Sequence, residues 1–446
     1  MKGKKQFGVG MEFHLGAETE MQSEKVKLEI RNGRLDDRLA GLYRGGKAME
    51  QARERIAQAV ESFEERYGAG RDIAVFSAPG RTEIGGNHTD HQGGRVLAAG
   101  INLDVIAVAA PSVDSRIRVK SKGFPEDALD AEDLSCRESE AGTSLSLLRG
   151  ICAGFSNLGC KVGGFDAYTV SDVLAGSGLS SSAAFEVVMG TAVNQLFFGG
   201  KADALKIAQI GQYAENRYFG KPSGLMDQAA SAYGGFTVFD FRSAEAVGVR
   251  QVHYDFEKSG CALCIVDTGG SHCDLTADYA SIPTEMRFVA ACFGKQILSE
   301  VDEAQFYGNL PQVRKKAGDR AVLRAIHYFA ENTRVTREAD ALEAGRFDEF
   351  LRLITESGVS SFQYLQNVYP PDHPERQGLS LALALCQRLL ENRGAWRVHG
   401  GGFAGTVLCF VPLGLLEGFT AELDGVFGAG ACRRLFVRPD GGVRLI

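Results

Sequence analysis

No run of apolar residues in this 446-residue chain reaches the roughly 18 needed to cross a bilayer. The lysine-bearing start MKGKKQFGVGMEFH is not followed by the apolar stretch of a secretory signal. The expectation is a cytoplasmic protein with no membrane partner. Positive charge is in deficit, with 49 Lys and Arg against 56 Asp and Glu and a formal net charge of -7, which argues against nucleic acid as a partner. Small-molecule chemistry is expected, and no protein partner is. Cysteines at metal-binding spacing are scarce: Cys261 and Cys264 form a CxxC pair with no second such pair, inside a run, CALCIVDTGG, that reads as a buried strand. With Cys152, Cys292, Cys386 and Cys409 they read as small buried hydrophobes with reduced thiols. Repeats and low-complexity segments are absent. So is Gly-Lys-Ser/Thr, which excludes a Walker-type phosphate loop.

What is present is the composition of a soluble globular protein, 44% hydrophobic and 24% charged, in a chain long enough for two domains. Apolar spacing predicts an amphipathic helix over Lys47–Tyr67 and a strand over Asp72–Ser77 that ends at Ala78, Pro79 and Gly80. Strands are predicted at Val105–Ala110, Ile117–Lys120, Phe165–Val170 and Gly234–Phe241, and helices at Ser144–Gly154 and Ala202–Tyr218. Beyond about residue 255 the pattern starts afresh, with a strand at Ala262–Asp267, helical stretches to about Gln366 and a helix over Gly378–Asn392. The reading is α+β in two halves: an extension over 1–45, one lobe over 46–255 and another over 256–446.

Three polar, glycine-bearing loops carry the candidate chemistry. In Leu174–Phe198, LAGSGLSSSAAFEVVMGTAVNQLFF, a small-residue loop feeds a helix. Its glycines permit close backbone approach, and Ser180, Ser181 and Ser182 fall where a helix leaves its first N–H groups unpaired, a terminus suited to phosphate. A serine-rich cap on a core helix explains the same residues. The run RTEIGGNHTDHQGG places Arg81, Glu83, Asn87, His88, Asp90 and His91 within eleven residues. That set suits hydrogen bonds to a polar substrate, a metal site, or a solvated turn. The third loop, HGGGFAG at His399–Gly405, reads as a tight turn between helix and strand or as a wall of the same site.

Four blocks in register then resemble the galactokinase branch of the GHMP kinases across most of the chain. APGRTEIGGNHTDHQGG is similar to a signature that usually runs Gly-Arg-Val-Asn-Leu-Ile-Gly-Glu-His-Thr-Asp-Tyr. GSGLSSSAAFEV, GLMDQ and HGGGFAG resemble the family's second motif, catalytic segment and third motif. The resemblance implies a two-lobed fold with the active site in the cleft and ATP over Gly176, Ser177, Gly178, Leu179, Ser180, Ser181 and Ser182. By position Asp227 matches the catalytic aspartate and Arg81 the arginine facing it. Glu215, twelve residues before Asp227, matches the glutamate that binds Mg2+, with Ser182 or a neighbouring serine sharing the ion. His88, Asp90, Gly224 and Tyr279 match sugar-binding positions, and Asn87 stands where a glutamate reads the sugar's 6-hydroxyl.

Departures from the family pattern are Asn87 for that glutamate, His91 for a tyrosine, Leu174 for a proline, Ser223 for a cysteine and Ala404 for a glycine. The implied activity is ATP-dependent phosphorylation of the anomeric hydroxyl of galactose. The alternatives are a 1-kinase for galacturonate or another C6-modified galactose, because Asn87 no longer opposes a carboxylate, and a catalytically silent sugar sensor.

Overall fold

The computed structural model describes residues 21–173, 178–243, 246–270, 275–391 and 393–446. Helix α1 (Gly46–Tyr67) buries Ala52, Ile56, Ala59, Val60 and Phe63, the face its spacing predicts. These side chains share a core with Val26, Ile30, Leu39 and Leu42 from the segment before α1, and with Val75, Ile106 and Val108 from the first sheet. The preceding segment is therefore packed on the core from Ser23 onward, while residues 1–20 lie outside the described residues.

Strand β1 (Asp72–Gly85) does not end at Ala78–Gly80 as expected but continues through RTEIG. Every residue after Asp72 is buried, and burial on both faces erases the alternation that marks a half-buried strand. Register shifts between Pro79 and Arg81 and between Glu83 and Gly85 break the ladder where the proline cannot donate, and bulges of this kind re-aim side chains. Strand β2 (Arg95–Pro111) pairs antiparallel with β1, setting Arg81 opposite Gly100. The sheet continues through β3 (Arg116–Ser121), β4 (Glu126–Asp130) and β5 (Phe165–Ser171), in the order β1-β2-β5-β3-β4, with β3 parallel to β5. On the other stretch of β2 lie β6 (Phe236–Asp240) and β7 (Gly248–Val252).

Helices α2 (Ser144–Asn157), α3 (Ser181–Phe197), α4 (Ala204–Ala214) and α5 (Met226–Tyr233) cover one face of this sheet. Helix α3 is apolar nearly all round, as befits its place between the sheet and α2, α4 and α5. The helix predicted over Ala202–Tyr218 finishes in a π-helical turn, Glu215–Phe219.

The second sheet is antiparallel, in the order β9-β10-β8-β11: β8 (Cys261–Asp267), β9 (Ala395–Val398), β10 (Thr406–Pro412) and β11 (Cys432–Leu435). HGGGFAG connects β9 to β10, so it is the turn of a hairpin rather than of a helix–strand junction. Positive φ at Gly400, Gly402, Phe403 and Gly405 lets the turn fold back on itself. Helices α6 (Thr276–Ala291), α7 (Asp319–Glu343), α8 (Phe347–Ser360) and α9 (Gly378–Leu390) complete this half. Leu263, Ile265, Leu408 and Phe410 of the second sheet join Phe350, Leu353 and Ile354 of α8 in the hydrophobic core that also contains the first sheet. The last strand, Val443–Arg444, returns to pair with β1, Val443 opposite Ser77. The architecture is the two-lobed α+β arrangement expected.

Candidate active site

Arg81 leaves the irregular stretch of β1 and meets Asp227 at the start of α5. Its Nε donates to Asp227 Oδ1 at 2.8 Å, and a terminal nitrogen lies 2.8 Å from the same oxygen. Ser180 Oγ donates to Asp227 Oδ2, and Arg81 donates from its other terminal nitrogen to the Gly178 carbonyl. Burial alone would raise the Asp227 carboxyl. The charge and hydrogen bonds of Arg81, the Ser180 hydroxyl and the charge of Lys221 outweigh it and hold Asp227 below its ordinary value. The result is an ionised, partly exposed carboxylate that can accept a proton without first losing one.

The Arg81 N–H also donates to the Leu179 carbonyl at 3.1 Å, so the loop before α3 is tied to β1 by backbone and side chain alike. Ser180 takes the left-handed conformation, φ 57°, at the helix entrance. Ser181 and Ser182 sit partly exposed in the first turn, where N–H groups lack helical partners. Gly176 and Ser177, and Leu174 among the departures, lie outside the described residues.

Asp90 is the second carboxylate. A Cβ on Gly224 would come within 2.2 Å of Asp90 Oδ2, so the missing side chain is what lets Asp90 lie beside the segment leading to Asp227. Burial and the nearby charge of Asp227 raise Asp90, against backbone hydrogen bonds and Arg81, to about 6. Tyr279 of α6 lies on the HGGGFAG turn: a Cβ on Gly401 would meet its ring at 2.5 Å, and its hydroxyl donates to the Gly402 carbonyl at 2.9 Å. His88 Nε2 bonds the Gly401 carbonyl at 2.9 Å. Thus the HTDH loop, the GLMDQ segment, α6 and the third loop converge, bringing Arg81, His88, Asp90, Gly224, Asp227 and Tyr279 together.

Asn87 is placed differently. It is fully buried, its Nδ2 donating to Glu83 Oε1 at 2.9 Å and to the Gly400 carbonyl at 2.6 Å, and its Oδ1 accepting from Asn367 at 2.8 Å and Ser361 at 3.3 Å. Its amide is occupied by the protein. Glu83 in turn pairs with Arg397 at 2.7 Å. Relative to the family run, carboxylate and amide have exchanged places at positions 83 and 87, so the buried pair keeps one of each.

Glu215, in the π-helical turn, is buried. Lys221 Nζ lies 2.9 Å from Oε1, while Ser223 Oγ and Gln228 Nε2 donate to Oε2 at 2.6 and 2.8 Å. The same Gln228 amide donates to Glu186 Oε2 at 2.9 Å, and burial pushes the Glu186 carboxyl well above its ordinary value. Sequence reasoning passed over Lys221, Gln228 and Glu186. Gln228 follows Asp227 directly in GLMDQ and Glu186 closes SSSAAFE, which was the available signal. Glu215 and Ser182 carry oxygen donors of the kind magnesium favours, and in this structure Lys221, Ser223 and Gln228 occupy the Glu215 carboxylate. Cys261 and Cys264 are buried in β8, and among the described residues no group of three or more His, Cys, Asp or Glu is arranged to hold a metal.

The GHMP kinases N terminal domain matches residues 146–235, which contain the α3 entrance and Asp227. The galactokinase galactose-binding signature matches residues 61–111, which contain Arg81 and the HTDH loop. The chain is 29% identical to a galactokinase of Streptomyces coelicolor over 391 residues, 86% of this chain and 97% of that one. It is 31% identical to a galactokinase of Actinobacillus pleuropneumoniae serotype 5b over 370 residues, 80% and 90% of the two chains. Among solved structures it resembles Lactococcus lactis galactokinase complexed with galactose, with a TM-score of 0.75 and 22% identity over 87% of this chain and 99% of that one. It also resembles Methanococcus jannaschii mevalonate kinase, with a TM-score of 0.58 and 16% identity over 81% and 98%. On these matches, and on four motifs brought to one cleft, the chain belongs to the galactokinase family of the GHMP kinases.

Proposed function

We propose that this protein transfers the γ-phosphoryl group of ATP to the anomeric hydroxyl of galactose. The observation that carries the reading is the Arg81–Asp227 pair, a carboxylate held ionised at 2.8 Å from a guanidinium and partly exposed. Asp227 is the base: it accepts the hydroxyl proton as that oxygen attacks phosphorus, while Arg81 keeps it ionised and offsets charge on the transferred group. Asp90, lying directly against Gly224, and Tyr279 line the sugar side. Gly178–Ser182 cradle the phosphates with backbone N–H groups and hydroxyls at the α3 entrance. Ser182 and Glu215 are the residues that would hold a magnesium ion, which when bound would screen phosphate charge. The two lobes of this reading span residues 46–255 and 256–446, with catalysis between them in the cytoplasm.

The experiment is ADP release measured over a panel of free hexoses and uronic acids, with the product's phosphate position read by phosphorus NMR. Galactose 1-phosphate as the favoured product is expected. No turnover with any sugar would remove the reading, and so would phosphate on a carbon other than the anomeric one.

A further inference from the structure

Between the sugar loop and the third loop runs a hydrogen-bond chain whose direction is pinned at both ends by backbone groups. At one end the Leu298 N–H, which can only donate, lies 3.2 Å from Gln92 Oε1. That contact turns the Gln92 amide so that its Nε2 faces His91 Nδ1 at 3.3 Å, and the same Nε2 reaches toward the Pro283 carbonyl at 3.5 Å. His91 Nδ1 must then accept, which puts the ring proton on Nε2. His91 Nε2 is 3.1 Å from His88 Nδ1. At the far end His88 Nε2 is 2.9 Å from the Gly401 carbonyl, which can only accept. The two ends require the same polarity along every link.

We infer that His91 is a positioning residue for the sugar cleft: by donating to His88 Nδ1 it locks His88 in the tautomer whose Nε2–H holds the Gly401 carbonyl. Gly401 is the glycine against which the Tyr279 ring lies, and Tyr279 in turn bonds Gly402. The chain therefore fixes one wall of the cleft from Leu298 and Pro283, on the far side of the HTDH loop. Burial keeps both imidazoles neutral, as the chain demands: it lowers His88 against the pull of the Gly401 hydrogen bond and Glu83, and it holds His91 well below the ordinary value with help from the charge of Arg287. The tyrosine that stands at this position in the family run has no imidazole nitrogens, so a relay through two ring nitrogens at this position comes with His91.

The test combines tautomer and kinetics in the full-length protein; only its sugar arm rests on the function proposed above. Ring nitrogens of 15N-histidine protein are observed by long-range 15N–1H correlation at neutral pH, with His88 assigned from a His88→Asn spectrum. His88 is expected as the neutral Nε2–H tautomer. His91→Phe removes the donor to His88 Nδ1 while the Gly401 carbonyl still holds Nε2–H, so the His88 Nδ1 resonance should move to that of an acceptor without a hydrogen bond and KM for galactose should rise about tenfold, with kcat within about twofold. His91→Gln, which still donates an N–H, should restore both. The inference is overturned by His88 as Nδ1–H or imidazolium in the unsubstituted protein, or by His91→Phe leaving the His88 Nδ1 resonance and KM unchanged. If His91→Phe does not fold, the tautomer of the unsubstituted protein and the KM of His91→Gln decide. An Nε2–H tautomer in a protein that turns over no galactose would sink the proposed activity and leave the positioning role standing.

Discussion

Asp227 and Asp90 are two carboxylates in one cleft whose surroundings push them in opposite directions. Arg81 and Ser180 hold Asp227 down, and burial raises Asp90 to about 6. Asp227→Asn keeps the shape and removes the proton acceptor, so kcat should fall on the order of 100-fold or more with little change in galactose KM. Steady-state kinetics check this, and a variant with near-normal kcat would refute the role. On the proposed activity Asp90 sets the acid limb: above its raised value it is ionised and free to accept bonds from sugar hydroxyls. As pH falls through about 6 it takes up a proton, so kcat/KM should fall along a limb with an apparent pKa near 6, mainly through KM. A group raised on folding opposes folding once ionised, so Asp90→Asn should remove that limb and raise the thermal midpoint at pH well above 6. A limb that survives in Asp90→Asn would assign it to another group.

At the level of elements, the chemistry sits on entrances and turns: the α3 entrance, the first turn of α5, the π-helical turn at Glu215 and the β9–β10 hairpin. If Glu215 holds magnesium, Glu215→Ala should raise the magnesium concentration required for turnover sharply and leave galactose affinity without nucleotide intact. An unchanged magnesium titration would reduce Glu215 to the partner of Lys221 and Gln228. Much of this layer was legible in the sequence because each motif pairs glycine with a helix or strand boundary, and Arg81, Asp90 and Asp227 fall inside contiguous runs. The continuation of β1 was not, because a strand buried on both faces shows no alternation. Nor was the sealed position of Asn87, whose partners Ser361, Asn367 and Gly400 come from segments far from it in the chain. Spacing reports which residues share an element, not which distant element will close over them.

At the scale of the whole molecule, the lobes are joined by a buried ion pair as well as by apolar packing. Arg397 of β9 donates to Glu83 Oε1 at 2.7 Å and to the Ile84 carbonyl at 2.6 Å, so a strand of the second sheet is fastened to β1 of the first just beyond Arg81. Arg397 is 0% exposed and Glu83 4%, and such a pair is costly to break from one side because the remaining charge is left without a counter-ion. Arg397→Met should therefore destabilise by about 3–5 kcal/mol. Burial already raises the Glu83 carboxyl against the lowering charge of Arg397, and removing Arg397 raises it further. The loss should accordingly be largest at high pH and shrink as pH falls and Glu83 takes up a proton. Adding Glu83→Gln removes the stranded charge, so the double variant should be less destabilised than the sum of the singles, with the shortfall appearing as coupling in a double-mutant cycle. Denaturant and thermal unfolding across pH measure both effects. Strict additivity with no pH dependence would mean that the lobes are held by the shared apolar core alone.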